Sequence, residues 1–237
     1  LKILLIIPAY NEEDNILRVY NEIKKYNNEN KTNYDVIVIN DGSKDQTGKI
    51  CQDNNIPVIN LIHNLGIGGA VQTGYKYAHE KNYDIAIQFD GDGQHNVECV
   101  KKITKNITNG QADLVIGSRF IEKNGDNFRT TRSRRLGIKI ISWLMKIVTG
   151  TKIYDTTSGF RACNKRVIAY FAKSYPTEYP EPITTVELLK RKCKIKEVAV
   201  KMRERTGGKS SIYSWKSIYY MINVMLSIIV VGIRRNK

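Results

Sequence analysis

The sequence predicts an α/β fold, a mostly parallel sheet flanked by helices, and three observations predict it. Short apolar runs bounded by turn residues alternate with segments of helical period through the first half of the chain. The runs are apolar enough to be covered on both faces, as parallel strands are. Polar, glycine-containing sequence follows each of them.

The first strand is expected at Ile3–Ile7, closed by Pro8, with a helix from about Glu13 to Tyr26. Further strands are expected at Val36–Ile39, Val58–Ile62, Ile85–Phe89 and Leu114–Ile116, with intervening helices near Asp45–Asn54, Gly68–Lys81 and Val97–Ile107. The second half is less punctuated. It reads as a basic stretch Arg129–Arg135, an apolar helix near Ile138–Val148, a loop Asp155–Arg161, helices near Lys165–Ala172 and Ile183–Lys192, and a strand Ile195–Val200. Ser217–Ile233 carries no charged residue, with Trp215, Tyr219 and Tyr220 at one end and Arg234, Arg235 and Lys237 at the other. It falls at or just below the roughly 18 residues a spanning helix needs, and its aromatic and basic flanks suit an interface. A core or dimer helix is the alternative.

The 237 residues, 41% of them hydrophobic, fit one globular domain and exclude a disordered chain. Cys51, Cys99, Cys163 and Cys193 are too scattered for a zinc or thioredoxin motif, so reduced thiols in the cytosol are the default. The opening apolar stretch is too short for a signal peptide. Residues 1–118 carry net charge −3 and residues 119–237 net +18, so an anionic partner is expected at the second half. Nucleic acid, an anionic bilayer and phosphorylated substrates all qualify by charge. No recognition-helix, RRM or KH pattern supports nucleic acid, and a basic nucleic-acid-binding protein is the disfavoured, non-enzyme alternative.

In sheets of this kind ligands sit beyond the carboxyl ends of the strands. Those ends carry Pro8-Ala9-Tyr10-Asn11-Glu12, Asn40-Asp41-Gly42-Ser43, His63-Asn64-Leu65-Gly66, Asp90-Gly91-Asp92-Gly93-Gln94-His95 and Gly117-Ser118-Arg119. Asp90 and Asp92, two carboxylates at i and i+2 off a buried strand, could share a hard divalent ion, Mg²⁺ or Mn²⁺, and leave coordination sites for a diphosphate. A solvated acidic turn is the bland reading. Asp41 could accept from a base edge or ribose, or cap a helix. Gly66-Ile67-Gly68-Gly69-Ala70 imitates a dinucleotide fingerprint, but Val71 stands where its last glycine belongs and the segment follows a third strand. Tight turning into a helix is its expected role. His95 is a candidate support for the metal or a structural residue.

These strand-end motifs, together with Thr157-Ser158-Gly159-Phe160-Arg161, resemble in order and spacing the family 2 glycosyltransferases of the GT-A fold. Within that family the likeness is nearest to dolichyl-phosphate mannose synthases and bacterial polyprenyl-phosphate glycosyltransferases, and it runs from Ile3 to about Ser211. It implies a GT-A domain over residues 1–211 and a membrane-associated or interface helix over 212–237. By the same resemblance Pro8, Ala9, Tyr10, Glu12, Asp41, Asp90 and Gly91 bind a UDP- or GDP-hexose. Asp90, Asp92 and Gln94 hold Mg²⁺ or Mn²⁺, and Arg119, Arg134, Arg205, Lys209 and Ser210 take the acceptor phosphate. Asp92, Arg119 and Glu181 are the expected catalytic residues. Glu181, in Tyr179-Pro180-Glu181-Pro182, lies where hydroxyl-directed members carry a base, or else belongs to a proline-framed turn.

The implied reaction is inverting, metal-dependent transfer of a hexose to a polyprenyl phosphate at the cytosolic face of the membrane. Transfer to a sugar hydroxyl in polysaccharide synthesis is the alternative. Several relatives continue into spanning helices where this chain stops, so a small membrane partner protein or a homo-oligomer is an expected partner beside the anionic membrane surface. The enzyme is expected to be peripheral at the inner face.

Overall fold

A computed structural model describes residues 1–121, 132–203 and 214–234. Seven strands form one sheet in the order β3-β2-β1-β4-β6-β5-β7. The strands are β1 (Ile3–Ala9), β2 (Tyr34–Asn40), β3 (Val58–Asn60), β4 (Ile85–Gln88), β5 (Leu114–Ser118), β6 (Arg161–Asn164) and β7 (Ile195–Ala199). The helices are α1 (Ile16–Asn30), α2 (Thr47–Asp53), α3 (Gly66–Glu80), α4 (Cys99–Thr108), α5 (Arg132–Thr149), α6 (Lys165–Lys173), α7 (Pro180–Lys190) and α8 (Ser214–Ile233). All strand pairs are parallel except those of β6, which runs antiparallel between β4 and β5.

The five inner strands are buried on both faces, and the edge strands β3 and β7 are partly exposed. Leu4, Ile6, Ile37 and Ile39 join one hydrophobic cluster with α3, α6 and α7, while Leu5, Ile7, Val36 and Val38 join the other with α1 and α4. This is the alternation a two-sided sheet demands. All the strands and helices expected in the first half are present, with ends shifted by a few residues. In the second half, β6 occupies the end of what reads as a loop in the sequence. It is four residues long and lacks a run of β-branched residues, and its place between two buried strands comes from tertiary pairing. α5 begins at Arg132, so part of the basic stretch is helical.

Local chemistry sets several joints. Gly68 lies where a Cβ would meet the Pro176 carbonyl oxygen at 2.1 Å, and Gly74 where one would meet Ile6 at 2.2 Å. The glycine run therefore lets the loop before α7 press on α3, and lets α3 press on the sheet. The Asn164 side chain accepts from the Val167 N–H at 3.0 Å and so caps α6.

The uncharged C-terminal segment forms α8, which packs on α5 and α7 with Val224 and Ile228 fully buried in the core. No described helix is long and apolar enough to cross a membrane. Gly137 faces Met221, with a Cβ position 2.9 Å from its sulfur, and Gly232 faces Val148, with a Cβ position 2.4 Å from Cγ1. The two helices therefore run parallel at close approach. Lys190 Nζ of α7 donates to the Val231 and Gly232 carbonyls at 2.9 and 2.6 Å and satisfies the end of α8.

Candidate active site

The loops at the carboxyl ends of β1, β2 and β4 converge. The Asn11 N–H donates to Ser43 Oγ at 3.0 Å, the Lys44 N–H to Asn11 Oδ1 at 2.9 Å, the Glu12 N–H to Thr47 Oγ1 at 2.9 Å and the Gln46 N–H to Glu13 Oε2 at 2.9 Å. Asn11 takes a left-handed conformation at φ 56°, which asparagine tolerates. Gly91 sits against this clasp, its Cβ position 3.2 Å from the Pro8 carbonyl oxygen and 3.8 Å from Glu12 Cγ. Pro8, Ala9, Glu12 and Gly91 are thus brought together, with Tyr10 exposed at the rim. Asp41 is buried, its N–H donating to the Ala9 carbonyl and its Oδ1 accepting from the Leu65 N–H at 2.7 Å. That bond ties the β2 loop to the residue before α3, and neither α2 nor α3 has a side-chain N-cap bond.

Asp90 and Asp92 follow β4. Asp92 is 5% exposed and accepts from the Gln94 N–H at 3.0 Å, so that the turn closes on itself. Arg18 of α1, which sequence reasoning missed, lies against Gly93, where a Cβ would meet its Nη2 at 2.5 Å. His95 is buried, stacked on Phe160 at 4.5 Å and edge-on to Phe89 at 5.5 Å. Burial pushes its pKa down to about 3, with Asp92 opposing and Arg119 reinforcing the fall, so the ring is neutral at ordinary pH. The Asp90 N–H donates to Nδ1 at 2.9 Å, which leaves the proton on Nε2, 3.3 Å from Asp90 Oδ2. His95 therefore accepts from the backbone of Asp90 and lies against its carboxylate.

The donor set at this turn suits a hard divalent cation, since carboxylate oxygens are what such ions take. Beside it Gln88 Oε1 is buried with no hydrogen-bond partner among the described residues, and Gly159 packs tightly against both side chains, its Cβ position 2.8 Å from Gln88 Nε2 and 3.3 Å from Asp90 Oδ1. No cluster of three or more His, Cys, Asp or Glu residues is present among the described residues, so a metal here would complete its shell from a ligand and water.

Arg119 follows β5 and is committed to a buried ion pair. Its Nε and Nη2 donate to the two oxygens of Asp155 at 2.8 and 2.7 Å, and Nη2 also reaches Thr157 Oγ1 at 3.1 Å. Asp155 is fully buried, and its N–H and that of Tyr154 donate to Glu197 of β7 at 2.8 and 2.7 Å. This relay was not visible in the sequence, because its three members lie on separate segments. Burial raises the pKa of Glu197 despite those two hydrogen bonds.

Glu181, in the first turn of α7, comes close to Asp90. Its carboxyl pKa is raised, chiefly by burial, with Asp90 adding to the rise and Arg161 and a hydrogen bond from Gln88 opposing it. Of the expected phosphate ligands, Arg205, Lys209 and Ser210 lie outside the described residues, as does the Arg134 side chain. The strand end leading to the first three is placed: the Arg203 N–H donates to the Gln94 carbonyl at 2.9 Å, and Arg203 pairs with Glu22 at 2.7 Å.

The profile of the Glycosyl transferase family 2 matches residues 4–171. The chain is 34% identical over 247 residues to a UDP-N-acetylglucosamine–dolichyl-phosphate N-acetylglucosaminyltransferase of Methanococcus voltae, which covers 94% of this chain and 91% of that protein. It is 30% identical over 227 residues to the undecaprenyl-phosphate mannosyltransferase of Micrococcus luteus, covering 90% and 88%. Among solved structures, the glucosyl-3-phosphoglycerate synthase of Mycobacterium tuberculosis in complex with Mn²⁺, UDP-glucose and phosphoglyceric acid superposes with a TM-score of 0.72 at 17% identity, over 100% of this chain and 81% of that one.

Proposed function

The chain belongs to glycosyl transferase family 2, and from that premise we propose that it moves a hexose from a UDP- or GDP-sugar to a polyprenyl phosphate, with inversion at the anomeric carbon. The observation that carries the reading is the Asp90-Gly91-Asp92 turn, which meets the β1 loop at Gly91 and is followed by Gln94, whose carbonyl accepts from the Arg203 N–H. Two relatives spanning nine-tenths or more of the chain are named for lipid-phosphate acceptors.

In this reading Pro8, Ala9, Tyr10, Glu12, Asp41 and Gly91 line the nucleoside end. Asp90 and Asp92, with Gln94 beside them, hold Mg²⁺ or Mn²⁺, as the fold neighbour crystallised with Mn²⁺ and UDP-glucose suggests. Such an ion, when bound, offsets negative charge on the departing diphosphate. An acceptor phosphate oxygen forms the new bond to the anomeric carbon while the bond to the diphosphate breaks, and the nucleoside diphosphate leaves with that electron pair. The acceptor arrives ionised, so no proton has to be removed. Arg134, Arg205, Lys209 and Ser210 supply its cationic and hydroxyl contacts. Arg119, its charge met by Asp155, acts as a positioning residue at the end of β5 rather than as a further phosphate cation.

A lipid acceptor needs a membrane-facing surface, and α5 and α8 have the form of one. Leu136, Ile140, Trp143 and Ile147 on α5, and Ile222, Leu226, Ile229 and Ile233 on α8, are exposed at the same spacing. On both helices the core-facing residues lie on the opposite side of the pair. Exposed Arg135, Lys139 and Lys146 flank the α5 stripe. We read this face as lying on an anionic bilayer without crossing it, at the cytosolic side, which makes residues 212–237 an interface helix that also completes the core of residues 1–211.

The test is turnover by purified protein of UDP- and GDP-hexoses with Mg²⁺ or Mn²⁺ and polyprenyl phosphate. Product in the lipid phase is expected, and none with any donor overturns the reading. A second reading, transfer to a sugar hydroxyl, draws on the raised pKa of Glu181 beside Asp90, which suits a general base. A loss of at least about 100-fold in Glu181→Gln with donor binding intact favours it.

A further inference from the structure

Arg161 is 1% exposed, and its hydrogen-bond partners among the described residues are all neutral. Nε donates to the Ser158 carbonyl at 2.7 Å and Nη2 to the Thr156 carbonyl at 3.4 Å. Nη1 donates to the Glu181 carbonyl at 2.8 Å, Thr185 Oγ1 at 3.0 Å and Thr184 Oγ1 at 3.2 Å. The two hydroxyls give their own protons to the helix backbone, Thr184 to the Pro180 carbonyl at 2.6 Å and Thr185 to the Glu181 carbonyl at 2.7 Å. Both therefore turn lone pairs to the guanidinium, and the first turn of α7 is keyed to it.

A buried cation is costly unless a counter-charge is close, and α7 presents its positive end here, which adds to the cost. Glu181 and Asp90 are the anions at hand, and Arg161 acts on Glu181 through charge. In the sheet Arg161 stands opposite Gln88, two residues before Asp90. Two of its three carbonyl partners, Thr156 and Ser158, belong to the 156–159 segment, where Gly159 fits against Asp90. One side chain thus ties together the two segments that border Asp90 from the β6 side. From the far side α7 is braced by the contact of the 176–177 loop with Gly68.

We propose that Arg161 is a positioning residue: its guanidinium sets the placement of Glu181 beside Asp90 at the donor-sugar end of the site, and its influence on turnover passes through Glu181. This rests on the glycosyl-transfer reading above. The Glu181 carboxylate and Gln88 Oε1, which is buried and without a hydrogen-bond partner among the described residues, are two acceptors of the kind that hydroxyl or amide N–H donors of a sugar take.

The test is a double-mutant cycle read in kcat and KM separately. Arg161→Lys keeps the charge and loses the fork, and kcat is expected to fall about 10- to 100-fold, the loss that small misplacements cause, with the KM for nucleotide sugar within about twofold. In a Glu181→Gln background the same substitution is expected to cost little more than Glu181→Gln alone. Losses that multiply, or a KM that rises in step with a falling melting temperature, refute the proposal in favour of a purely structural arginine. If Arg161→Lys does not fold, Thr185→Val removes one acceptor and keeps the arginine; a smaller kcat loss that vanishes in Glu181→Gln supports the proposal, and one that persists refutes it. Wild-type protein run alongside separates the two claims. No turnover by it sinks the transfer reading, whereas normal turnover with kcat unchanged in both variants sinks only this inference.

Discussion

The loops after β1, β2 and β4 and the paired helices α5 and α8 are built on opposite principles. The loops are held by polar cross-links, such as Asn11 to Ser43 and Glu12 to Thr47, and each link satisfies a backbone N–H that water would otherwise have to meet. The helices are held by close van der Waals contact at Gly137 and Gly232, and they leave apolar residues in water on their outer side. A site that stabilises charge needs donors fixed before the ligand arrives, whereas a surface that meets lipid needs area and few directional bonds. The net charges of −3 and +18 on the two halves follow the same division.

The strongest way to break the first region is Asp92→Asn. It leaves the turn's shape nearly intact but removes a charge from the expected metal site, and a kcat loss of about 100-fold or more is expected, on the scale of removing one electrostatic stabiliser. Steady-state kinetics at saturating Mn²⁺ checks it. Vesicle binding by the same variant should match wild type, since nothing on α5 or α8 has changed. A variant that loses both would dissolve the division.

His95→Asn sharpens the claim that the loop region works by pre-set geometry. It removes the ring that holds the N–H of Asp90 and lies against its carboxylate. Supports of this kind typically cost 10- to 100-fold in metal affinity when lost. Titrating Mn²⁺ against activity should show the shift in half-saturation, with kcat at saturating metal falling less. Because the ring stays neutral down to about pH 3, wild-type activity should show no histidine-like inflection from this residue between pH 5 and 8.

What could be read in the sequence divides along the same line. The strand ends of the first half were legible because each apolar run is followed at once by its polar loop, so chain order alone gathers Pro8, Asp41 and Asp90 at one edge of the sheet. β6 was not legible: Arg161-Ala162-Cys163-Asn164 has no strand pattern of its own, and only its neighbours β4 and β5 make it one. Arg119 read as an available cation, because nothing within the local sequence announces that Asp155 and Glu197 converge on it. The glycine run of α3 reads in the sequence as a tight turn into a helix, but its partner, the 176–177 loop, is a long-range contact. α8 read as lipid-facing by composition, and the fold divides it between a buried face and an exposed one.

Gly232→Val tests the second region by itself. The added methyls would overlap Val148 and push the end of α8 from α5, an overpacking that typically costs about 1–3 kcal/mol. Thermal unfolding should report a lower Tm, by about 2–4 °C per kcal/mol in a chain of this size. Binding to anionic vesicles should weaken because the two stripes no longer share a plane. Nucleotide affinity should stay near wild type.

The smallest effect probes the seam between the regions. Glu187 of α7 accepts from the Tyr170 hydroxyl at 3.2 Å, and Arg191 and Arg234 lie close enough to act on its charge. Burial nonetheless outweighs them and raises its pKa. A carboxyl whose folded pKa lies above its unfolded value contributes stability below the ordinary glutamate range, near pH 4, and loses that contribution as pH rises through the folded value. Wild-type Tm should therefore decline over that interval, and Glu187→Gln, which cannot ionise, should decline less. Partial solvent access screens the group and keeps the difference below about 1 kcal/mol. Glu181 and Glu197 are shifted in the same direction, so a residual slope must remain in the variant. A variant whose slope is steeper than that of the wild type would mean that the arginines at this seam, rather than burial, govern Glu187, and that α7 and the end of α8 are joined by charge more than by packing.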